Sequence, residues 1–155
     1  MPQEPSNLSN QSIKKILIPL VKSEYNDKII SYATILAKGS GASITAINVL
    51  DKSAIGGIGD VFGRRVDEYE NEMRKRSQEL LIEVQQMIEG QGIKTSIEII
   101  GNKSVAQGII DYARESGVDV IVIGTKGLTG VGKFIMGGVA SSVINNAHCP
   151  VVAVR

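Results

Sequence analysis

Tryptophan is absent, and histidine and cysteine occur once each, side by side as His148 and Cys149. A single thiol forms no internal disulfide, and the adjacent pair lacks the second pair of ligands that a structural metal needs. No protein-held transition metal is expected, and Cys149 reads as a core residue ahead of the last strand. No serine lies in a nucleophile-elbow pattern, and His148 has no evident partner for a triad. Charge of one sign is missing too: 17 Lys and Arg against 16 Asp and Glu leave a net charge of +1. Such a balance supplies no field for nucleic acid or an anionic membrane. The basic cluster Arg74, Lys75, Arg76 sits among glutamates and reads as a solvated helix face. No apolar run nears the roughly 20 residues of a membrane helix. The opening MPQEPSNLSNQS has neither the basic nor the apolar region of an export signal, and it reads as a disordered tail over residues 1–12. These absences point to a cytoplasmic protein, in which the sequons at Asn7, Asn10 and Asn102 carry no glycosylation meaning.

What is present is enough apolar residue, 43% of 155, to build one domain over residues 13–155 without staples. Short β-branched runs alternate with stretches of helical period, the pattern of βαβ units and a parallel sheet. Strands are expected at Lys15–Leu20, Ser43–Leu50, Thr95–Ile100, within VDVIVIG, and at the closing VVAVR. A helix is expected from Glu24 to Lys38, burying Ile29, Ala33, Leu36 and Ala37 and stopped by Gly39 and Gly41. The segment Arg64–Glu89 reads as a long amphipathic helix carrying Met73, Leu80, Leu81, Val84, Met87 and Ile88 inward. Ser104 with Gln107 has capping-box spacing, and Val105, Ile109 and Ala113 form the stripe behind it. The glycine-bearing stretch Ile55–Gly63 reads as a loop, and a short helix is expected over Val139–Asn146. The product is an α/β domain with a five-stranded parallel sheet and helices on both faces.

After the fourth strand comes GTKGLTGVGKFIMGG, residues 124–138, with glycine at 124, 127, 130, 132, 137 and 138. Glycine lets backbone amides approach an anion without a Cβ in the way, and Gly137 and Gly138 stand at the mouth of the last helix. In open parallel sheets, ligands sit at the carboxyl ends of the strands, where this stretch lies. The Walker spacing fails at Phe134, which stands where a hydroxyl must hold magnesium. The dinucleotide fingerprint fails at Ile135, where a small residue must let the helix close on the sheet. A third spacing fits, namely Gly124, two residues, Gly127, nine residues, Gly137.

In that spacing the chain resembles the universal stress protein family, whose nucleotide-binding members carry G-x2-G-x9-G-[S/T] after the fourth strand. The likeness extends to KKILIPL, INVLD, IIGNKS, VDVIVIGTKG and GGVASSVINNAHCPVVAV, and so covers Ile13 to Arg155. The resemblance implies a flavodoxin-like sheet in the order 3-2-1-4-5 and ATP or AMP at the strand ends, with or without magnesium. It places Pro19, Leu20 and Val21 beside the adenosine and Val49 against the base. Ile123, Gly124, Gly127, Gly137 and Gly138 would wrap the ribose and phosphates, with Gly130, Val139 and Ala140 in the same wall. Lys126 and Lys133 either add positive charge or are simply solvated loop lysines, and Asp51 stands either at the ribose or as a plain turn residue. The resemblance also implies a homodimer through the last strand, Val151, Val152, Ala153 and Val154, whose free edge would pair.

Two positions depart from the family pattern. Val21 stands where nucleotide-binding members have aspartate, and Gly138 stands where the motif ends in serine or threonine. Each missing hydrogen bond weakens binding by about 0.5–1.5 kcal/mol, or up to about tenfold. The reading is therefore an adenine-nucleotide-binding stress-response protein with a depleted cradle. Two alternatives stand beside it: a dimeric protein-interaction module without nucleotide, and a weak ATP hydrolase with no base in view.

Overall fold

The computed structural model describes residues 11–62, 65–126 and 137–155. The strands are β1 (Lys15–Pro19), β2 (Ser43–Asp51), β3 (Thr95–Asn102), β4 (Val120–Gly124) and β5 (Val151–Val154). The helices are α1 (Asn26–Ser40), α2 (Lys52–Phe62), α3 (Val66–Glu89), α4 (Val105–Glu115) and α5 (Gly138–Asn146). All pairings are parallel and the order is β3-β2-β1-β4-β5, the expected doubly wound sheet. Most of the expected tail, residues 1–10, lies outside the described residues.

Strand alternation divides the core in two. Ile16, Ile18, Ile44, Ala46, Val120 and Val122 face α1 and α3, which bring Ile29, Ile30, Ala33, Leu81, Val84 and Ile88. Leu17, Ile47, Val49, Ile121 and Ile123 face the opposite way and meet Ala106, Ile109, Ala113, Ala140 and Val143 from α4 and α5. Burial of each such aliphatic side chain contributes about 1.5–3 kcal/mol, which is what fixes β1 and β4 at the centre.

Several details differ from the sequence expectation. The stretch from Ile55 is helical as far as Phe62, where a loop was expected. Asp51 supplies the reason: its Oδ1 accepts from the amides of Ser53 and Ala54 at 3.0 Å each, capping α2, while Ile55 is buried. The cap and that burial offset the roughly 1 kcal/mol that each helical glycine costs. Helix α1 runs through Gly39 to Ser40 and stops at Gly41, whose left-handed φ of 75° lets its amide reach Ala37 O at 2.8 Å. Its start is at Asn26 rather than Glu24, because Ser23 and Tyr25 form a turn in which Ser23 Oγ accepts from the Tyr25 amide. The capping box is only half made: Ser104 Oγ accepts from the Gln107 amide, but the Gln107 side chain donates to Asp111, and Asn102 Oδ1 takes the Ser104 amide. On α3, Met87 is exposed, and Ser77 takes a buried place that the apolar pattern did not mark.

Lys52 at the start of α2 and Arg74 on α3 both donate to Glu70. Lys52 first, and Arg74 after it, hold the Glu70 carboxyl below its ordinary range. On the opposite face Tyr112 Oη donates to Glu98 Oε2 at 2.7 Å, and burial together with that carboxylate pushes the phenol up to about 12. Its folded value lies above the unfolded one, near 10, so its contribution to stability is complete below pH 10 and is lost as pH rises through 12. A tyrosinate absorbance titration should therefore show a component ionising at about 12, and Tyr112→Phe should remove it.

Candidate functional site

Strand β1 stops at Pro19, opposite Ile47, while β2 runs on to Asp51. One further backbone bond, from the Leu20 amide to Ile47 O at 2.8 Å, closes the ladder. Past that bond the Asn48 side chain reaches Leu20 O, and Val49 packs with α4 in the core. On the other side of β1, β4 ends at Gly124 opposite Val154, and the Thr125 amide donates to Val154 O at 2.9 Å. Connections leave β1 and β4 toward opposite faces, α1 with one core and α5 with the other, and in open parallel sheets that switch point is where a ligand crevice is expected.

The N-terminus of α5 borders the crevice. The Gly137 amide donates to Thr125 O at 2.8 Å, which ties the helix start to the end of β4, and the Ser141 amide donates to Gly137 O to close the first turn. Among the described residues no side chain caps this end. The amides of Gly138, Val139 and Ala140 therefore lack helical acceptors, and the helix dipole favours an anion before them. Three such amides offer the chemistry that a phosphate oxygen needs.

The residues named from the sequence divide into groups. Pro19, Val21, Gly124, Lys126, Gly137, Gly138 and Val139 lie at or just past the ends of β1 and β4 or at the start of α5. Leu20, Val49, Ile123 and Ala140 are at the same end of the sheet but are buried in the core. Asp51 is exposed at the end of β2 and caps α2 through Oδ1, which fulfils its turn role and leaves Oδ2 outside that cap. Gly127, Gly130 and Lys133 lie outside the described residues. A Cβ on Gly124 would come within 2.7 Å of Ile29 Cδ1, so its missing side chain also lets α1 approach. At Gly138 a Cβ would meet nothing within 4 Å. Lys126 Nζ lies 4.6 Å from the centre of the Tyr25 ring, a cation–π contact across the rim.

Periodicity did not single out the buried polar residues that shape this end of the sheet. Asn48 and Asn26 hold the carbonyls of Leu20 and Val21, and Thr125 Oγ1 reaches Val154 O. The available signal was asparagine inside the apolar run SITAINVL, which is costly to bury unless its amide has partners. Among the described residues, no three His, Cys, Asp or Glu side chains gather as a metal site.

Below β5, Cys149 is half-buried, and burial and then the Asp119 carboxylate push its thiol up. Less thiolate at neutral pH means slower attack on a disulfide reagent. We expect modification of Cys149 in the folded protein to be slower than in urea, with the difference shrinking as pH rises.

The Universal stress protein family model matches residues 12–155. The chain is 34% identical over 143 residues to universal stress protein MJ0531 of Methanocaldococcus jannaschii, covering 92% of this chain and 82% of that one. It is 29% identical over 146 residues to universal stress protein YxiE of Bacillus subtilis, covering 91% and 98%. Among solved structures, universal stress protein UspA from Lactobacillus plantarum superposes with a TM-score of 0.80 at 23% identity over 94% of this chain and all of that one (100%). The universal stress protein from Archaeoglobus fulgidus in complex with dAMP gives 0.68 at 20% identity, over 94% and 100%. A universal stress protein in complex with cAMP gives 0.65 at 16% identity, over 94% and 98%. At these identities the superpositions establish the fold alone.

Proposed function

The chain belongs to the universal stress protein family, and from that premise we propose that it binds an adenine nucleotide, ATP or AMP, at the strand ends. The observation that carries the reading is the uncapped start of α5, with the amides of Gly138, Val139 and Ala140 beside the end of β4. Phosphate would sit before those amides, where the dipole contributes about 0.3–1 kcal/mol besides the hydrogen bonds. The base would lie on Val49, where β2 outruns β1. Structural neighbours that hold dAMP and cAMP support a nucleotide of this kind. Magnesium would arrive with ATP and be bound chiefly through its phosphates.

As a signalling protein the chain would act as a homodimer, and β5 offers the surface. That strand pairs only with β4 among the described residues, and Val151 and Val152 are half-buried. A cytoplasmic location accords with the absence, among the described residues, of any helix long and apolar enough to cross a membrane. The second reading, an interaction module without nucleotide, is favoured by one observation: Val21 gives the crevice no acceptor side chain, and its carbonyl is taken by Asn26.

Calorimetry with ATP and AMP, with and without magnesium, separates the two. The proposal expects a saturable heat at one nucleotide per chain. No heat up to about 1 mM ligand, where binding energy would fall below about 4 kcal/mol, would leave the interaction module standing.

A further inference from the structure

Two successive carbonyls leave the end of β1, and each is taken by an asparagine from a different element. Asn48 on β2 donates through Nδ2 to Leu20 O at 2.8 Å, and Asn26 at the start of α1 donates through Nδ2 to Val21 O at 2.7 Å. Asn48 is itself held: Ser77 Oγ on α3 donates to Asn48 Oδ1 at 2.6 Å. Exposure of Asn26, Asn48 and Ser77 is 8%, 9% and 7%. Among the described residues no buried side-chain nitrogen or oxygen lacks a partner, so the chain of bonds is complete. Such buried networks specify one geometry, because each broken link leaves a desolvated group behind.

We propose that Asn48, Asn26 and Ser77 are positioning residues for the crevice, fixing the turn after β1 with its carbonyls drawn into the protein and away from the anionic ligand. The inference rests on the nucleotide reading for its ligand. Its physical content is wider. Val21 and the residues after it have left the ladder, so these side chains join the Leu20 amide bond to Ile47 O and the Ser23–Tyr25 turn in setting the distance from the turn to Val49. A carbonyl released from Asn26 or Asn48 would be free to turn into the space proposed for the adenosine and alter its shape. Because Ser77 belongs to α3, that helix shares in setting the turn, although the cradle itself lies between β1, β2, β4 and α5.

Ser77→Ala leaves Asn48 Oδ1 without its donor, and Asn26→Ala frees Val21 O. Each should weaken ATP binding by about five- to tenfold, the scale of one net hydrogen bond. Amide hydrogen exchange should accelerate over Leu20–Asn26 while the centre of α4 stays unchanged. Ser77→Thr, which keeps the hydroxyl, should restore both readouts. Thr34→Ala serves as the control for lost stability: it removes another buried hydroxyl on α1, bonded to Ser31 O. It should lower the melting temperature while leaving the Kd within about twofold. Unchanged affinity and unchanged exchange in Ser77→Ala and Asn26→Ala would overturn the inference, as would an equal loss of affinity in Thr34→Ala. If the wild type itself binds no nucleotide, the functional reading fails, and the exchange measurement decides the positioning role. Faster exchange confined to the turn supports it, and an unaltered turn refutes it.

Discussion

Val21→Asp combined with Gly138→Ser should tighten ATP binding by up to about a hundredfold, each substitution contributing up to about tenfold. The serine has room, since a Cβ on Gly138 meets no atom within 4 Å, and its hydroxyl would stand at the open start of α5. The aspartate would replace a half-buried valine at the turn after β1, giving the adenosine end of the crevice an acceptor. Neither change disturbs a hydrogen bond, because Val21 accepts from Asn26 through its backbone carbonyl. Calorimetry on the two single variants and the double would show the gains adding as independent contacts. A double variant that binds no better than the wild type would mean that ligand does not lie between these two positions.

Leu17→Ala should destabilise the fold by about 2–5 kcal/mol, the range for emptying a fully buried aliphatic site. Leu17 has no exposed surface and lies on the central strand, facing α4 and α5. Strands on both sides hold its backbone in place, through Thr45 and Ile121, so collapse around the cavity is limited. For a domain of this size the melting temperature should fall by roughly 5–15 °C. The contrasting substitution is Ile35→Ala on the outer face of α1, where the side chain is 62% exposed, and its effect should stay within about 0.5 kcal/mol. Urea denaturation of both variants checks the pair, and similar losses at the two positions would contradict the assignment of the core.

The elements were legible where periodicity and punctuation agreed. The β-branched runs marked all five strands, and Gly41 with its left-handed φ marked the end of α1. Strand order came with the family likeness, since alternation alone does not say which strands are neighbours. Helix α2 was hidden because Gly56 and Gly57 argue for a loop, whereas the cap from Asp51 and the burial of Ile55 are tertiary and local facts that outweigh them. Asp51 was legible as a turn residue, and its capping of α2 is that role made specific.

At the proposed site, the glycine spacing pointed to the carboxyl end of the sheet but not to the work of each glycine. Gly124 makes room for Ile29, a residue distant in sequence. The amide of Gly137, expected to face an anion, instead joins α5 to Thr125. The open donors begin one residue later, at Gly138. Hydrogen bonds such as Asn48 to Leu20 and Ser77 to Asn48 join positions 28 and 29 residues apart. No local pattern encodes partners at that separation, and a single buried asparagine announces only that partners must exist.

The most direct test of the nucleotide site is an amide-resolved NMR titration with AMP and with ATP. The account expects saturable shifts at Gly138, Val139 and Ala140, accompanied by Val21 and Val49, while the outer face of α3 stays still. Shifts absent from the start of α5, or confined to α3, would contradict it.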